Sequence, residues 1–340
     1  MKKFLQITGL IALVFITVEL FVYGDNSETT DTTFEEYFNR NYNVYALNLP
    51  EDLTFMGERI PYEDPDVYER LDRELLVNTY WQSNGLLLLK RAHKYFPIIE
   101  PILAEKGIPD DFKYLAVAES GLMNVVSPAG ATGFWQLLES TGKEKGLEIN
   151  KEIDERYHLE KATYAACDYL LEAQEEFGTW SLAAGSYNMG INGLQRQLDR
   201  QKVDSYWALL LNSETSRYVF RIIALKEVMT HPEKYGFHYR EKDLYLMPET
   251  RLVTVNTSVE HWADFAAEHG INYKTLKYFN PWLRESSLKN VSGKEYAVRI
   301  PTNPSRFSHS VEYEYKAAFP DSVVTDPLDS TENDSPLEQE

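Results

Sequence analysis

The chain has 340 residues, 43% of them hydrophobic and 13% aromatic, enough for a sizeable core and for two domains of ordinary size. Its formal net charge of -19 excludes nucleic acid or another polyanion held by bulk electrostatics, because phosphate binding needs a basic face. A single cysteine, Cys167, excludes an intrachain disulfide framework, and seven scattered histidines without HExxH-type spacing argue for neither a metal site nor a cofactor.

The chain opens Met1-Lys-Lys, continues into an apolar segment cleanest from Leu10 to Val18, and reaches Phe21-Val-Tyr-Gly24. Charged, hydrophobic and small residues in that order read as a secretory signal peptide over 1–24. The apolar run is shorter than the roughly 20 residues that cross a bilayer, and Glu19 interrupts it. Export to the periplasm or cell envelope is expected, with inner-membrane attachment if the signal stays uncleaved. Residues 25–65 read as an irregular acidic lead-in with local order at Phe34 to Tyr42.

From Asp66 the apolar residues Val67, Leu71 and Leu75-Leu76 recur at helical spacing, and Leu86 to Phe96 repeats the pattern until Pro97. Ile98 to Glu105 ends at Gly107, and Pro109-Asp-Asp opens the next helix with acids in its first turn. Further helices are predicted at Leu159 to Phe177, Trp180 to Met189, Leu194 to Leu198, Ser205 to Leu211 and Thr215 to Thr230. No run between 66 and 235 alternates like a strand, so an all-α domain is expected there. After His231-Pro, a strand at Arg251 to Asn256, helices at Val259 to His269 and Tyr273 to Phe279, and a strand at Tyr296 to Ile300 predict a small βααβ unit within 245–303. From 304 to 340 the chain is polar, with no Lys or Arg after Asp321, and reads as a disordered acidic tail.

One carboxylate is oddly placed. Phe112, Leu115, Ala116 and Glu119 stand on one helix face, so Glu119 occupies a core-like position. The helix can hardly pass Ser120-Gly121, so Glu119 also meets the negative end of the macrodipole. Burial and dipole both raise its pKa, and a carboxyl group with a pKa near ~6 can hold a proton at neutral pH and deliver it to a leaving oxygen. The alternative is a helix-end glutamate turned to water or paired with a cation. The glycine-studded loop that follows brings Gly130 and Gly133 to Phe134-Trp135-Gln136. An aromatic surface and an amide suit a neutral sugar, but a turn with Trp135 as a core anchor explains the same letters. Tyr187-Asn188 before Gly190, and Glu214 opening the last helix, are each open to a structural reading as well.

Together, Glu119-Ser120, Ser127 with Gly130-Ala-x-Gly133-x-Trp135-Gln136, Tyr187-Asn188-x-Gly190 and Glu214-Thr215-x-x-Tyr218-Val219 resemble the motifs of lytic transglycosylases with the soluble-lytic-transglycosylase (SLT) domain, in order and separation. Asp154-Glu-Arg156 and Lys161-Ala-Thr163 are similar to the membrane-bound D type. The resemblance implies a lysozyme-like all-α catalytic domain over 66–235, a mainly α fold overall, and peptidoglycan glycan strands as partner. By it, Glu119 is the acid and base that cuts between N-acetylmuramic acid and N-acetylglucosamine to leave a 1,6-anhydro end. Ser120, Ser127, Gly133, Trp135, Gln136, Tyr187, Asn188, Glu214 and Tyr218 become the substrate-binding set, with Tyr187 orienting Glu119 or stabilising charge at the anomeric carbon.

No Asp or Glu lies between Ser120 and Leu138, which suits a reaction whose attacking hydroxyl belongs to the substrate. A muramidase-type hydrolase using a distant acid such as Asp154 or Glu214, and a catalytically silent peptidoglycan-binding protein, are the alternatives. The chain departs from the family at Leu138-Glu139, at Gly185-Ser186 and in a short loop before Ser127. The C-terminal unit resembles a LysM module in its βααβ order, Leu276-x-x-x-Asn280-Pro281 and Val298-Arg-Ile-Pro301, which implies glycan binding, and the protein is read as monomeric or weakly associating. Against that resemblance, Asn256-Thr-Ser-Val259 replaces the usual Gly-Asp-Thr-Leu, and a unit that binds nothing is the other reading.

Overall fold

A computed structural model of the chain describes residues 44–304 and Phe307. The readings of a leader over 1–24 and of order at Phe34 to Tyr42 lie outside the described residues, as does the tail apart from Pro304 and Phe307. The described chain folds as two units, one of residues 44–147 and 155–247 and the other of residues 148–154 and 248–304.

The first unit is helical: α1 (Pro65–Tyr80), α2 (Gln82–Glu105), α3 (Lys113–Ser120), α4 (Glu139–Glu144), α5 (Leu159–Phe177), α6 (Trp180–Met189), α7 (Ile191–Gln201) and α8 (Thr215–Thr230). Helix α1 starts where the Asp64 side chain accepts from the Asp66 amide at 2.9 Å and Pro65 takes the first position. Helix α8 is the central element, burying Val219, Phe220, Ile222 and Ile223 and packing on α1, α3 and α6.

Some predicted helices change. Helix α2 runs through Pro97 and Pro101 instead of breaking at the first. An interior proline costs about 3 kcal/mol, and the burial of Leu88, Leu89, Ile99, Ile102 and Leu103, at about 1.5–3 kcal/mol each, offsets it. The helix read at Ser205 to Leu211 is a single 3-10 turn, Tyr206–Ala208.

The stretch read as an irregular lead-in contains a hairpin, β1 (Thr54–Phe55) with β2 (Glu58–Arg59), in which Phe55 and the following Ile60 are fully buried. Its Glu58 carboxylate accepts from the backbone amides of Trp180 and Ser181, placing an anion on the open N-terminus of α6. Asp111 fixes the same hairpin by accepting from the Met56 amide at 2.9 Å while also taking Lys226 Nζ at 2.6 Å.

The second unit is the expected βααβ arrangement: β3 (Thr250–Val255), α9 (Trp262–Glu268), α10 (Tyr273–Phe279) and β4 (Tyr296–Pro301). The strands pair antiparallel with Val253 opposite Val298. Residues 148–154, inside the region read as all-α, join this unit because the Asp154 amide donates to Trp282 O at 2.9 Å and the Arg284 amide to Glu152 O at 2.8 Å. Asn280, fully buried, donates to Leu276 O at 2.9 Å and Arg299 O at 2.8 Å and accepts from the Arg299 amide at 2.7 Å. It thereby ties the end of α10 to β4. Asn280→Ala is expected to cost this unit about 2–3 kcal/mol, because two part-buried backbone groups of Arg299 lose this partner. Hydrogen exchange should show faster exchange at the Arg299 amide with no change in α5 or α8. Among the described residues no helix is long and apolar enough to cross a membrane.

Candidate active site

Glu119 lies in the last turn of α3, which Gly121 ends with φ +59°. The face that carries it is fully buried at Phe112, Leu115 and Ala116, so the apolar pattern itself drives the glutamate inward. Its Oε1 accepts from the Tyr218 hydroxyl on α8. Among the described residues no other hydrogen bond to this carboxylate is present. Burial pushes its pKa from the usual 4.5 up to about 7, against the Tyr218 hydrogen bond and the Arg221 charge, which pull it down, while Glu214 adds a smaller upward push. The side chain nevertheless keeps partial exposure, so a desolvated acid still meets the surface. Burial and the neighbouring Glu119 charge raise Tyr218 and Tyr187 well above the ordinary phenol value, and both stay neutral donors across the physiological range.

The loop after Glu119 is held mostly by its own backbone. Short bridges join Val126 to Thr132 and Thr132 to Leu137, and the Gly133 amide donates to Val125 O at 2.9 Å. Gly133 has φ +84°, and a Cβ there would stand 2.1 Å from the Arg156 carbonyl oxygen. Arg156 in turn donates through Nη1 to Gly130 O at 3.1 Å and Leu137 O at 3.3 Å. From the α2 side, Arg91 donates to Gly121 O at 3.0 Å.

Several residues assigned to the substrate by resemblance are supports in this structure. Trp135 is fully buried and donates from Nε1 to Thr163 Oγ1 at 2.9 Å, so it is a core anchor and presents no stacking face. Ser120 is buried, its hydroxyl bonded to Phe134 O at 2.8 Å and lying near Ala116 O at 3.2 Å, which closes the loop onto α3. Gly133 makes room for the Arg156 carbonyl.

Tyr187 donates to Trp135 O at 2.8 Å, and it is Tyr218 that hydrogen-bonds the acid. Asn188 accepts from the Thr215 hydroxyl at 2.8 Å and ties α6 to the start of α8. Gln136, at φ +46°, donates from Nε2 to Val125 O at 3.0 Å and Gly133 O at 2.8 Å, which leaves its amide oxygen for a ligand. The Ser127 hydroxyl accepts from the Ala131 amide at 3.0 Å and can still donate. Glu214 is exposed at the head of α8. Glu119 and Tyr218 are thus in contact, Tyr187 and Glu214 are near enough to act on Glu119 electrostatically, and Asp154 belongs to the second unit.

Sequence reasoning missed Arg221, which stands one turn after Tyr218 on α8 and acts on Glu119 electrostatically, and Glu74 on α1, which binds it. The i, i+3 spacing from Tyr218 was the available signal for Arg221. Nothing in the sequence marks Glu74.

This helical unit sets the Glu119 carboxyl against the Tyr218 hydroxyl behind a glycine-turned loop. Residues 97–210 match the Transglycosylase SLT domain family, and residues 251–304 match the soluble lytic transglycosylase C-terminal LysM-like domain. The chain carries an SLT domain, which is lysozyme-like and all-α, and a LysM-like domain after it. In particular, it is homologous to the membrane-bound lytic murein transglycosylase D of Escherichia coli strain K12, with 28% identity over 290 residues, 81% of this chain and 62% of the relative. The membrane-bound lytic murein transglycosylase D of E. coli O6:H1 strain CFT073 matches with the same figures. The chain therefore spans less than two thirds of these relatives. Glu214, Tyr218, Arg221 and Glu74 all lie outside the segment matched to the SLT family.

Proposed function

We propose that the protein is an exported lytic transglycosylase that cuts the β-1,4 bond between N-acetylmuramic acid and N-acetylglucosamine in peptidoglycan. The observation that carries the reading is one partly accessible carboxyl group, Glu119, whose pKa burial pushes up to about 7 and whose hydrogen-bond partner is the Tyr218 phenol. Protonated Glu119 gives its proton to the glycosidic oxygen as the C1–O bond breaks. The muramoyl C6 hydroxyl then closes on C1, and its proton returns to the Glu119 carboxylate. The products are a 1,6-anhydro end and a free 4-hydroxyl, no water is consumed, and the acid is regenerated.

Intramolecular attack carries an effective molarity of about 10⁵ M or more, so a second carboxylate is dispensable. Tyr218 holds Glu119 in place through both proton transfers. The Gln136 amide oxygen, the Ser127 hydroxyl and exposed Glu214 contact the sugars, while Ser120, Gly133, Trp135, Tyr187 and Asn188 shape the site. The LysM-like unit binds the same glycan, and the protein acts as a monomer in the cell envelope.

Digestion of purified sacculi with product identification by mass spectrometry tests the reading. Anhydro-muropeptides from the wild-type chain and none from Glu119→Gln are expected. Reducing ends identify a muramidase, and no release identifies a glycan-binding protein; either result overturns the proposal.

A further inference from the structure

A group of charges on α1 and α8 has no part in the chemistry above. Glu74 is 1% exposed, and its carboxylate accepts from Arg73 and from Arg217 Nε at 2.7 Å, with Arg221 Nε at 3.8 Å. A carboxylate buried this deeply needs a paired cation, but three arginines exceed what one carboxylate requires. Arg73 and Arg217 engage it directly. Arg221 stands farther off, and it is also the positive charge that acts on Glu119. Arg217 and Arg221 are four residues apart on α8, and Tyr218, which holds the acid, lies between them.

We propose that Glu74 and Arg221 form a positioning pair: Glu74 tethers the Arg221 guanidinium, and this fixed charge steadies the Glu119 carboxylate between proton donation and proton recovery. The inference rests on Glu119 acting as both acid and base. The ionised form is the costly one, because burial disfavours it and the end of α3 adds a negative dipole. A cation held in advance lowers that cost without reorganisation. Arg217 already clamps α1 to α8, so a clamp alone does not require Arg221.

The groups around Glu119 are Tyr218, Arg221 and Glu214 on or at the head of α8, Tyr187 on α6, and Arg91 on α2, which is committed to the Gly121 carbonyl. Without the Arg221 charge, two neutral phenols and an acid dominate, and Glu119 holds its proton to higher pH.

The test is the pH dependence of anhydro-muropeptide release by the full chain in wild type, Arg221→Met, Arg221→Lys and Glu74→Gln, with thermal melts for each. Activity falls as pH rises through the Glu119 midpoint. Arg221→Met is expected to move that descending limb up by about 0.5–1 pH unit and to lower the maximal rate about tenfold. Arg221→Lys should restore the limb. Glu74→Gln removes a negative charge, which by itself lowers the limb, so it is compared in the wild-type and Arg221→Met backgrounds: a smaller downward move in the wild-type background is the loss of the tether, and equal moves in the two overturn it. A folded Arg221→Met with its limb at the wild-type position, or an equal displacement in Arg221→Lys, overturns the pairing. If Glu74→Gln does not fold, the two Arg221 variants decide. If the wild-type chain releases no anhydro products, the functional reading fails on its own. The pairing is then judged by titrating Glu119 directly in wild type and Arg221→Met: an upward shift supports it, and coincident midpoints overturn it.

Discussion

Replacing Gly133 by alanine is expected to cost the first unit about 3–5 kcal/mol, a large part of a domain's usual margin. Two effects add. The left-handed backbone at φ +84° costs a residue with a Cβ about 1–2 kcal/mol. The rest is steric, because the new carbon would sit 2.1 Å from the Arg156 carbonyl oxygen, a backbone atom that no side-chain rotation can move. Arg156 also bonds the carbonyls of Gly130 and Leu137, so a shift there loosens the whole loop after Glu119. Gly130→Ala is the control, with a similar φ of +82° but nothing within 4 Å of its Cβ, and it should cost only about 1–2 kcal/mol. Urea midpoints of the two variants check this, and equal losses would contradict the steric argument.

Glu119→Gln is expected to lower activity at least about 10³-fold, within the range for removing a general acid, while making the protein more stable at pH 8. Below about pH 4.5 the carboxyl is protonated in both folded and unfolded chains and contributes no difference. Between 4.5 and about 7 the folded chain binds more protons, so stability falls as pH rises. Above about 7 the loss is complete. A shift from 4.5 to about 7 corresponds to about 3 kcal/mol, reduced to about 2 kcal/mol because the side chain keeps some exposure. Glutamine, neutral at every pH, escapes this penalty while its amide oxygen can still accept from Tyr218. The variant should therefore melt with the wild type at pH 4 and above it at pH 8. A variant less stable at pH 8 would show that Glu119 is not held at a cost.

The burial of Glu119 was legible in the sequence because it depends on local spacing: Phe112, Leu115 and Ala116 set the face, and Gly121 ends the helix. The βααβ unit was legible for the same reason. Trp135 was not, since a tryptophan after a glycine turn looks alike whether it faces a sugar or Thr163, and only packing decides. Pro97 misled because a local rule for helix ends gave way to tertiary burial along α2. Glu74 and Arg221 could not be paired from sequence, since their contact joins helices 147 positions apart. The segment 148–154 was misassigned because its hydrogen bonds go to residues 282–284, far along the chain.

The proposed chemistry needs a carboxyl group kept protonated near neutrality by burial. Its most direct test is to titrate Glu119 in the intact protein, by carbon NMR of labelled glutamate carboxyls or by infrared difference spectroscopy against Glu119→Gln. A midpoint of about 7 is the predicted result. A midpoint at or below the ordinary 4.5 would contradict the claim that Glu119 is a poised proton donor.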